Sequence, residues 1–195
     1  MGFEYEWKFR ADPQVLAAIL VSEPGRAEQI AMQTTYYDTP SGQLAARRYT
    51  LRTRLENGIC VCTLKTPGIG GSRREWEVLC DCIEDGIRKL CKLDTPTELP
   101  ALLAEGLAQV CGARFHRTAV TSEQDGCTVE LALDQGVLMG GGREIPLCEV
   151  EVELKSGSQE ACDQFAAALA QRFGLEQEPK SKFRRALELS KGESL

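Results

Sequence analysis

A single histidine, His116, is all the imidazole in this 195-residue chain. That scarcity argues against a Ser-His-Asp hydrolase, a multi-histidine zinc centre or a histidine proton relay. Long apolar runs are missing too: none approaches the roughly 18 residues that a membrane-spanning helix needs. The N-terminal MGFEYEWKFR is charged from its start, so neither a transmembrane helix nor a signal peptide is expected. Positive charge is in deficit, with 23 Lys and Arg against 29 Asp and Glu for a net charge of −6. Such a balance argues against non-specific nucleic-acid binding as the main role. What is present, 43% apolar and 27% charged residues, suits one compact domain over residues 1–195. No repeat, low-complexity tract or linker divides it.

The nine cysteines are odd in number and scattered, which points to reduced thiols in a cytoplasmic setting rather than a disulfide framework. Cys60/Cys62 and Cys80/Cys82 form two C-x-C pairs, the raw material of a four-thiolate zinc site. Structural zinc sites use longer spacing, and the alternative is cysteine acting as a small buried hydrophobe.

Period-two alternation dominates the chain. In 3–10, Phe3, Tyr5, Trp7 and Phe9 alternate with Glu4, Glu6, Lys8 and Arg10, a strand with one apolar and one charged face. Asp12-Pro13 starts a short helix over 14–21. Strands are expected at 29–38, 48–55 and 59–66, the last two joined at Asn57-Gly58, and at 73–82 after a flexible loop over 67–72. That loop lacks the Walker lysine and is no P-loop. Helices are expected at 83–92 and 97–110, strands near 113–121, 127–134 and 144–155, then helices at 159–173 and 180–189. Many antiparallel-type strands with a few helices read as α+β.

The polar faces carry the information. Glu4, Glu6 and Lys8 share one; Arg52 and Arg54, Thr63 and Lys65, and Arg73, Glu75 and Glu77 occupy others; Glu149, Glu151, Glu153 and Lys155 share a late one. Residues i and i+2 lie about 6–7 Å apart on one face, so runs of like charge need an opposite charge between them. The other parity is apolar, as in Cys60, Cys62 and Leu64. We therefore expect the apolar face to turn outward under helices and the charged face, with Arg117, to curl inward. Carboxylates there suit Mg²⁺ or Mn²⁺, whereas Arg and Lys suit phosphate oxygens, Arg often bidentately. A polyphosphate bridged to glutamates by metal satisfies both sets.

Glu4-x-Glu6-x-Lys8 resembles the E-x-E-x-K signature of the CYTH family, the triphosphate tunnel metalloenzymes. The likeness continues in family order through Tyr37-Asp38-Thr39-Pro40, Leu51-Arg52-Thr53-Arg54, Thr63-Leu64-Lys65 and Arg73-x-Glu75-x-Glu77. It ends with a Leu133-Asp134-x-Gly136 turn, Glu149-x-Glu151-x-Glu153-Leu154-Lys155 and Lys180-Ser181-Lys182. The resemblance implies an eight-stranded antiparallel β tunnel, a closed barrel with a charged lumen and helices packed outside. It implies metal held by Glu4, Glu6, Glu149, Glu151 and Glu153, with the first four in catalytic roles. The substrate's phosphates would meet Lys8, Arg52, Arg54, Lys65, Arg73, Glu75, Arg117 and Lys182, with Arg114, Lys180 and Arg184 as neighbouring alternatives to Arg117 and Lys182.

The implied activity is metal-dependent hydrolysis of a small-molecule triphosphate, inorganic triphosphate foremost, by a monomer or homodimer. An adenylate cyclase of class IV type or a thiamine triphosphatase on the same tunnel is the alternative. A non-catalytic polyphosphate or nucleotide sensor is the alternative of another class. No nucleobase or thiazole platform is evident in the sequence. Met32 and Trp76 read as packing residues.

Overall fold

The computed structural model describes residues 2–23, 25–68 and 72–192. They form ten strands in one antiparallel sheet and six helices. The strands are β1 (Gly2–Glu4), β2 (Glu6–Arg10), β3 (Ala27–Asp38), β4 (Thr50–Glu56), β5 (Ile59–Pro67) and β6 (Arg73–Leu79), then β7 (Ala108–Gln124), β8 (Cys127–Gly140), β9 (Arg143–Gly157) and β10 (Glu176–Gln177). The helices are α1 (Pro13–Ser22), α2 (Gln43–Ala46), α3 (Ile83–Leu90), α4 (Leu99–Leu103), α5 (Gln159–Phe173) and α6 (Lys182–Lys191). The α+β class matches the alternation in the sequence. Residues 69–71, the centre of the loop expected at 67–72, lie outside the described residues.

The strand order is β1-β6-β5-β4-β3-β7-β8-β9-β2-β10. The single N-terminal strand expected over 3–10 is two segments, separated only by Tyr5. Its first half pairs with β6 (Glu4 opposite Arg73) and its second with β9 (Glu6 opposite Glu153). The Tyr5 carbonyl accepts from the Leu154 N–H at 2.9 Å, so the β9 side of this segment continues through the break. One short stretch of chain thus borders strands that otherwise end opposite edges of the sheet.

The apolar parity builds two cores on one sheet face. Leu16 and Ile19 of α1 and Cys162, Ala166 and Leu169 of α5 cover Phe9, Val129, Leu131, Val150 and Val152. Leu44, Leu90 and Leu99, from α2, α3 and α4, cover Leu51, Cys62, Leu64 and Trp76. Burying such side chains contributes about 1.5–3 kcal/mol each, the main drive toward this face. The Tyr5 hydroxyl and the Trp7 indole N–H both donate to Asp163 Oδ1, at 2.6 and 2.7 Å, and fasten α5 over the N-terminal segment.

The third core departs from the expectation that all helices pack outside. Ala186 of α6 meets Met32, Ala113, Phe115, Leu138 and Leu147, whose parity is that of the charged side chains. Helix α6 therefore lies on the inner face. It can approach closely because Gly140 has no side chain: a Cβ there would stand 2.3 Å from the Ala186 carbonyl oxygen.

Two local expectations are corrected. The helix expected to reach residue 110 ends at Leu103, the chain turns at Gly106 (φ +90°), and β7 begins at Ala108. Pairing of 108–120 with β3 outweighs the local helical pattern. Leu133-Asp134-x-Gly136 is no turn but the middle of β8, with Asp134 opposite Arg117 on one side and Glu149 on the other.

The C-x-C pairs lie at the outer core: Cys62 and Cys80 are buried, Cys60 is partly buried with its sulfur 3.5 Å from that of Cys80, and Cys82 is exposed. Burial pushes the thiols of Cys62 and Cys80 up to about 12, which opposes the thiolate form that metal binding needs.

Candidate active site

The inner face encloses a cavity of about 350 Å³. Every metal- and phosphate-binding residue implied by the resemblance lines it except Glu149, and of the alternatives weighed there Arg117 and Lys182 line it whereas Arg114, Lys180 and Arg184 do not. Alternation explains the convergence: each strand turns every second side chain inward, and the strand order places those rows side by side.

Strands β4, β5 and β6 supply a largely basic wall. The Lys65 ammonium donates to both carboxylate oxygens of Glu4, at 2.5 and 2.6 Å, and lies 3.2 Å from Glu75. The Arg52 guanidinium stands 3.7 Å from Glu75 and 3.9 Å from Glu77, and its buried Nε has no hydrogen-bond partner among the described residues. The Arg54 guanidinium pairs with Glu56 at 2.5 Å. Arg73 donates to the Thr50 hydroxyl at 3.0 Å and to the carbonyls of Arg48 and Lys65 at 3.3 and 3.4 Å. Burial, then the neighbouring Arg52 charge, lowers the Arg54 guanidinium from its ordinary value.

The opposite wall is acidic. In the register of β2, β9 and β8, Glu6 stands opposite Glu153 and Glu153 opposite Glu130, and all three line the cavity. Like charges directly opposite are destabilising unless a cation lies between them. Lys155, 3.0 Å from Glu153 and 3.9 Å from Glu130, neutralises part of the row. Burial and then Glu151 hold the Glu6 carboxyl above the usual carboxylate range despite Lys8 at 2.7 Å. Burial also raises Glu153, against the pull of Lys155.

Between the walls, α6 delivers Lys182. Ser181 caps the helix by accepting from the Arg184 N–H, so Lys182 is its first residue. The Lys182 ammonium sits 2.7 Å from Asp134 and from Glu151 and pairs closely with Glu149. Arg117 grips Asp134 through Nε and Nη2, at 2.8 and 2.7 Å, and reaches Glu151 at 2.6 Å. Burial alone would raise the Glu151 carboxyl, but Lys182, Arg117 and Lys8 hold it well below the usual range. Burial alone would lower the Lys182 ammonium, but Asp134, Glu151 and Glu149 raise it. Asp134, Glu149 and Glu151 bring oxygens within 4.8 Å of one another, the densest acidic cluster among the described residues.

Glu149 is fully buried beneath α6, outside the cavity lining, and held by Lys182 and Arg185. Sequence reasoning missed Asp134, which it placed in a turn, and Arg185, although Lys182 and Arg185 stand three apart on one helix face. It also missed an apolar strip: Ile30, Met32, Phe115 and Phe183 line part of the cavity, so Met32 is both a packing and a cavity residue. Among the described residues no helix is long and apolar enough to cross a membrane.

A family model described as the CYTH domain matches residues 2–187. Over 159 residues the chain is 31% identical to a protein of Haemophilus influenzae named inorganic triphosphatase, covering 80% of this chain and 44% of that protein. The chain thus spans less than half the length of that curated relative. Among solved structures, a Hippeastrum protein described as having a dominant triphosphatase activity superposes with a TM-score of 0.69 at 18% identity, covering 100% of this chain and 98% of that one. A Pyrococcus horikoshii protein superposes with a TM-score of 0.64 at 21% identity, covering 95% and 99%. At such identities these two likenesses speak for the fold.

Proposed function

Since the chain belongs to the CYTH domain family, we propose that it is a cytoplasmic enzyme that hydrolyses inorganic triphosphate to pyrophosphate and phosphate with Mg²⁺ or Mn²⁺. The observation that carries the reading is the facing of two walls across one cavity: Arg52, Arg54, Lys65 and Arg73 on one side, the Glu6–Glu153–Glu130 row on the other. The lining holds eight basic and eight acidic side chains, so the cavity is neutral by itself. A bound triphosphate adds several negative charges, and divalent cations on the carboxylate wall would balance them. The same reading makes residues 2–10 the closing strand of a tunnel. Counted as one strand, and with the two-residue β10 set aside, they leave the eight strands that the family resemblance implies. One domain over 1–195 then houses the whole site.

The donor set fits a hard cation: the carboxylates of Glu4, Glu6, Glu151 and Glu153 offer oxygens, and burial, with neighbouring carboxylates adding to it, holds the carboxyls of Glu6 and Glu153 above their usual range, a cost that a bound cation would offset. When bound there, Mg²⁺ or Mn²⁺ polarises phosphate oxygens as a Lewis acid and lowers the pKa of water. Glu149 and Asp134 back this set through their shared contact with Lys182.

Arg52, Arg54, Lys65 and Arg73 bind and orient the phosphate chain, the orphaned Arg52 Nε offering one donor. Lys8, Arg117 and Lys182 face the acidic wall and stabilise charge that develops on the leaving pyrophosphate. Holding the chain between fixed cations aligns the terminal phosphorus for in-line attack by water. Glu75, beside Lys65 and Arg52, keeps their head groups in place. No covalent nucleophile is needed.

The apolar strip of Ile30, Met32, Phe115 and Phe183 favours a second reading, an organic triphosphate whose non-phosphate part lies against it. Phosphate release from inorganic triphosphate, ATP and thiamine triphosphate, with Mg²⁺, Mn²⁺ or chelator, separates the readings. Cyclic AMP is sought in the ATP samples. Strong metal-dependent release from inorganic triphosphate supports the first reading. Turnover of only the organic substrates supports the second. Tight binding without any turnover would make the protein a sensor and refute both.

A further inference from the structure

Resting on the triphosphatase reading, we propose that Arg185 is a positioning residue: by sharing the buried Glu149 carboxylate with Lys182 from behind, it keeps that carboxylate from drawing the Lys182 ammonium out of the cavity. The two cations stand three residues apart on the face of α6 that meets the sheet. Arg185 Nη2 pairs closely with Glu149 Oε2, and its Nη1 lies 3.6 Å from Glu178 Oε2. The other Glu149 oxygen faces Lys182, which is also 2.7 Å from Glu151 Oε1. Lys182 and Glu151 line the cavity; Arg185, Glu149 and Glu178 do not.

The chain of charges is anchored beyond Arg185. Glu178 accepts from the Lys180 N–H at 2.9 Å and from Arg10 Nε at 2.8 Å, and its own N–H donates to the Lys8 carbonyl at 2.8 Å. Arg185 is thereby fixed relative to β2, the strand that carries Glu6 and Lys8.

Charge counting shows why this governs Lys182. The buried cluster sets three carboxylates, Asp134, Glu149 and Glu151, against three cations, Lys182, Arg117 and Arg185. Without Arg185 the cluster carries one uncompensated negative charge. Glu149, 0% exposed and already in contact with Lys182, then pulls harder on that ammonium and draws it from Glu151, and the excess charge repels phosphate.

The test is calorimetric binding of tripolyphosphate with chelator present, so that neither metal nor turnover enters, with affinity expressed per folded molecule. Arg185→Gln is expected to weaken binding about tenfold. Arg185→Lys, which keeps the charge but loses the two-pronged reach, is expected to weaken it about threefold and remains informative if Arg185→Gln does not fold. In metal-dependent hydrolysis both should raise KM in the same order and change kcat less. A purely structural role would lower the melting temperature and leave the affinity of folded molecules unchanged. Equal affinity in wild type and folded Arg185→Gln, or, should Arg185→Gln not fold, in wild type and Arg185→Lys, overturns the role of Arg185 and leaves the functional reading intact. A wild type that binds no tripolyphosphate overturns the functional reading, and this proposal with it.

Discussion

Glu6 stands directly opposite Glu153 in the antiparallel register of β2 and β9, and both carboxyls are held above the usual carboxylate range, chiefly by burial. Two carboxylates so placed oppose folding, and a divalent cation between them would relieve the strain. Binding competence is here set against intrinsic stability.

Glu153→Gln is therefore expected to stabilise the metal-free protein by about 0.5–1 kcal/mol, by removing the like-charge pair. Metal-dependent phosphate release should fall about a hundredfold. Thermal unfolding in chelator, read beside the hydrolysis assay, checks both. A lower melting temperature with full activity would contradict the assignment of Glu153 to the metal wall.

Arg52→Gln should act on substrate affinity. The side chain is buried against the cavity with an unpartnered Nε. A lost charge-assisted hydrogen bond costs about 1.5–3 kcal/mol. KM for inorganic triphosphate is expected to rise about ten- to hundredfold, at about 1.4 kcal/mol per tenfold. An unchanged KM would remove Arg52 from the phosphate wall.

Glu178 predicts a pH dependence of stability. Burial would raise its carboxyl, but the Lys180 N–H, Arg10 and Arg185 hold it below the ordinary value. Its folded pKa thus lies below its unfolded one, near 4.3. The stability it contributes is fully present above the unfolded value and is lost as pH falls through the folded value. Glu178→Gln should cost about 1–2 kcal/mol at pH 7, because the Lys180 N–H and Arg10 lose an ionised acceptor. Urea denaturation should show the gap between wild type and variant closing below about pH 4. A gap that persists or widens there would reverse the assigned sign.

Gly140→Ala tests the seating of α6. The added Cβ would meet the Ala186 carbonyl oxygen at 2.3 Å and the Ser190 nitrogen at 2.8 Å, both backbone atoms. A loss of about 2–3 kcal/mol in urea denaturation is expected, as for other overpacked contacts. Weaker tripolyphosphate binding should accompany it, since α6 carries Lys182. Stability equal to wild type would mean that α6 does not press on β8 as described.

The strand rows were legible because alternation is local: Glu4, Glu6 and Lys8, or Glu149, Glu151 and Glu153, share a face whatever the strands pair with. Hairpins joined by short turns, such as Asn57-Gly58, were legible for the same reason. The end of α4 was not. Leu99–Leu103 and the start of β7 share a locally helical pattern, and pairing with β3, about 80 residues earlier in the chain, decides between them.

By itself, then, the sequence determined which side chains share each strand face and that one face is apolar, because both follow from a period of two along the backbone. The tertiary structure alone decided which rows confront each other. It set Glu6 against Glu153, moved Asp134 from an expected turn into a buried row beside Arg117, and sank Glu149 behind Lys182 and Arg185. Those relationships join segments as far apart as residues 6 and 153, and no local periodicity encodes the pairing of two charges that meet only when the sheet assembles and α6 lies down on its inner face.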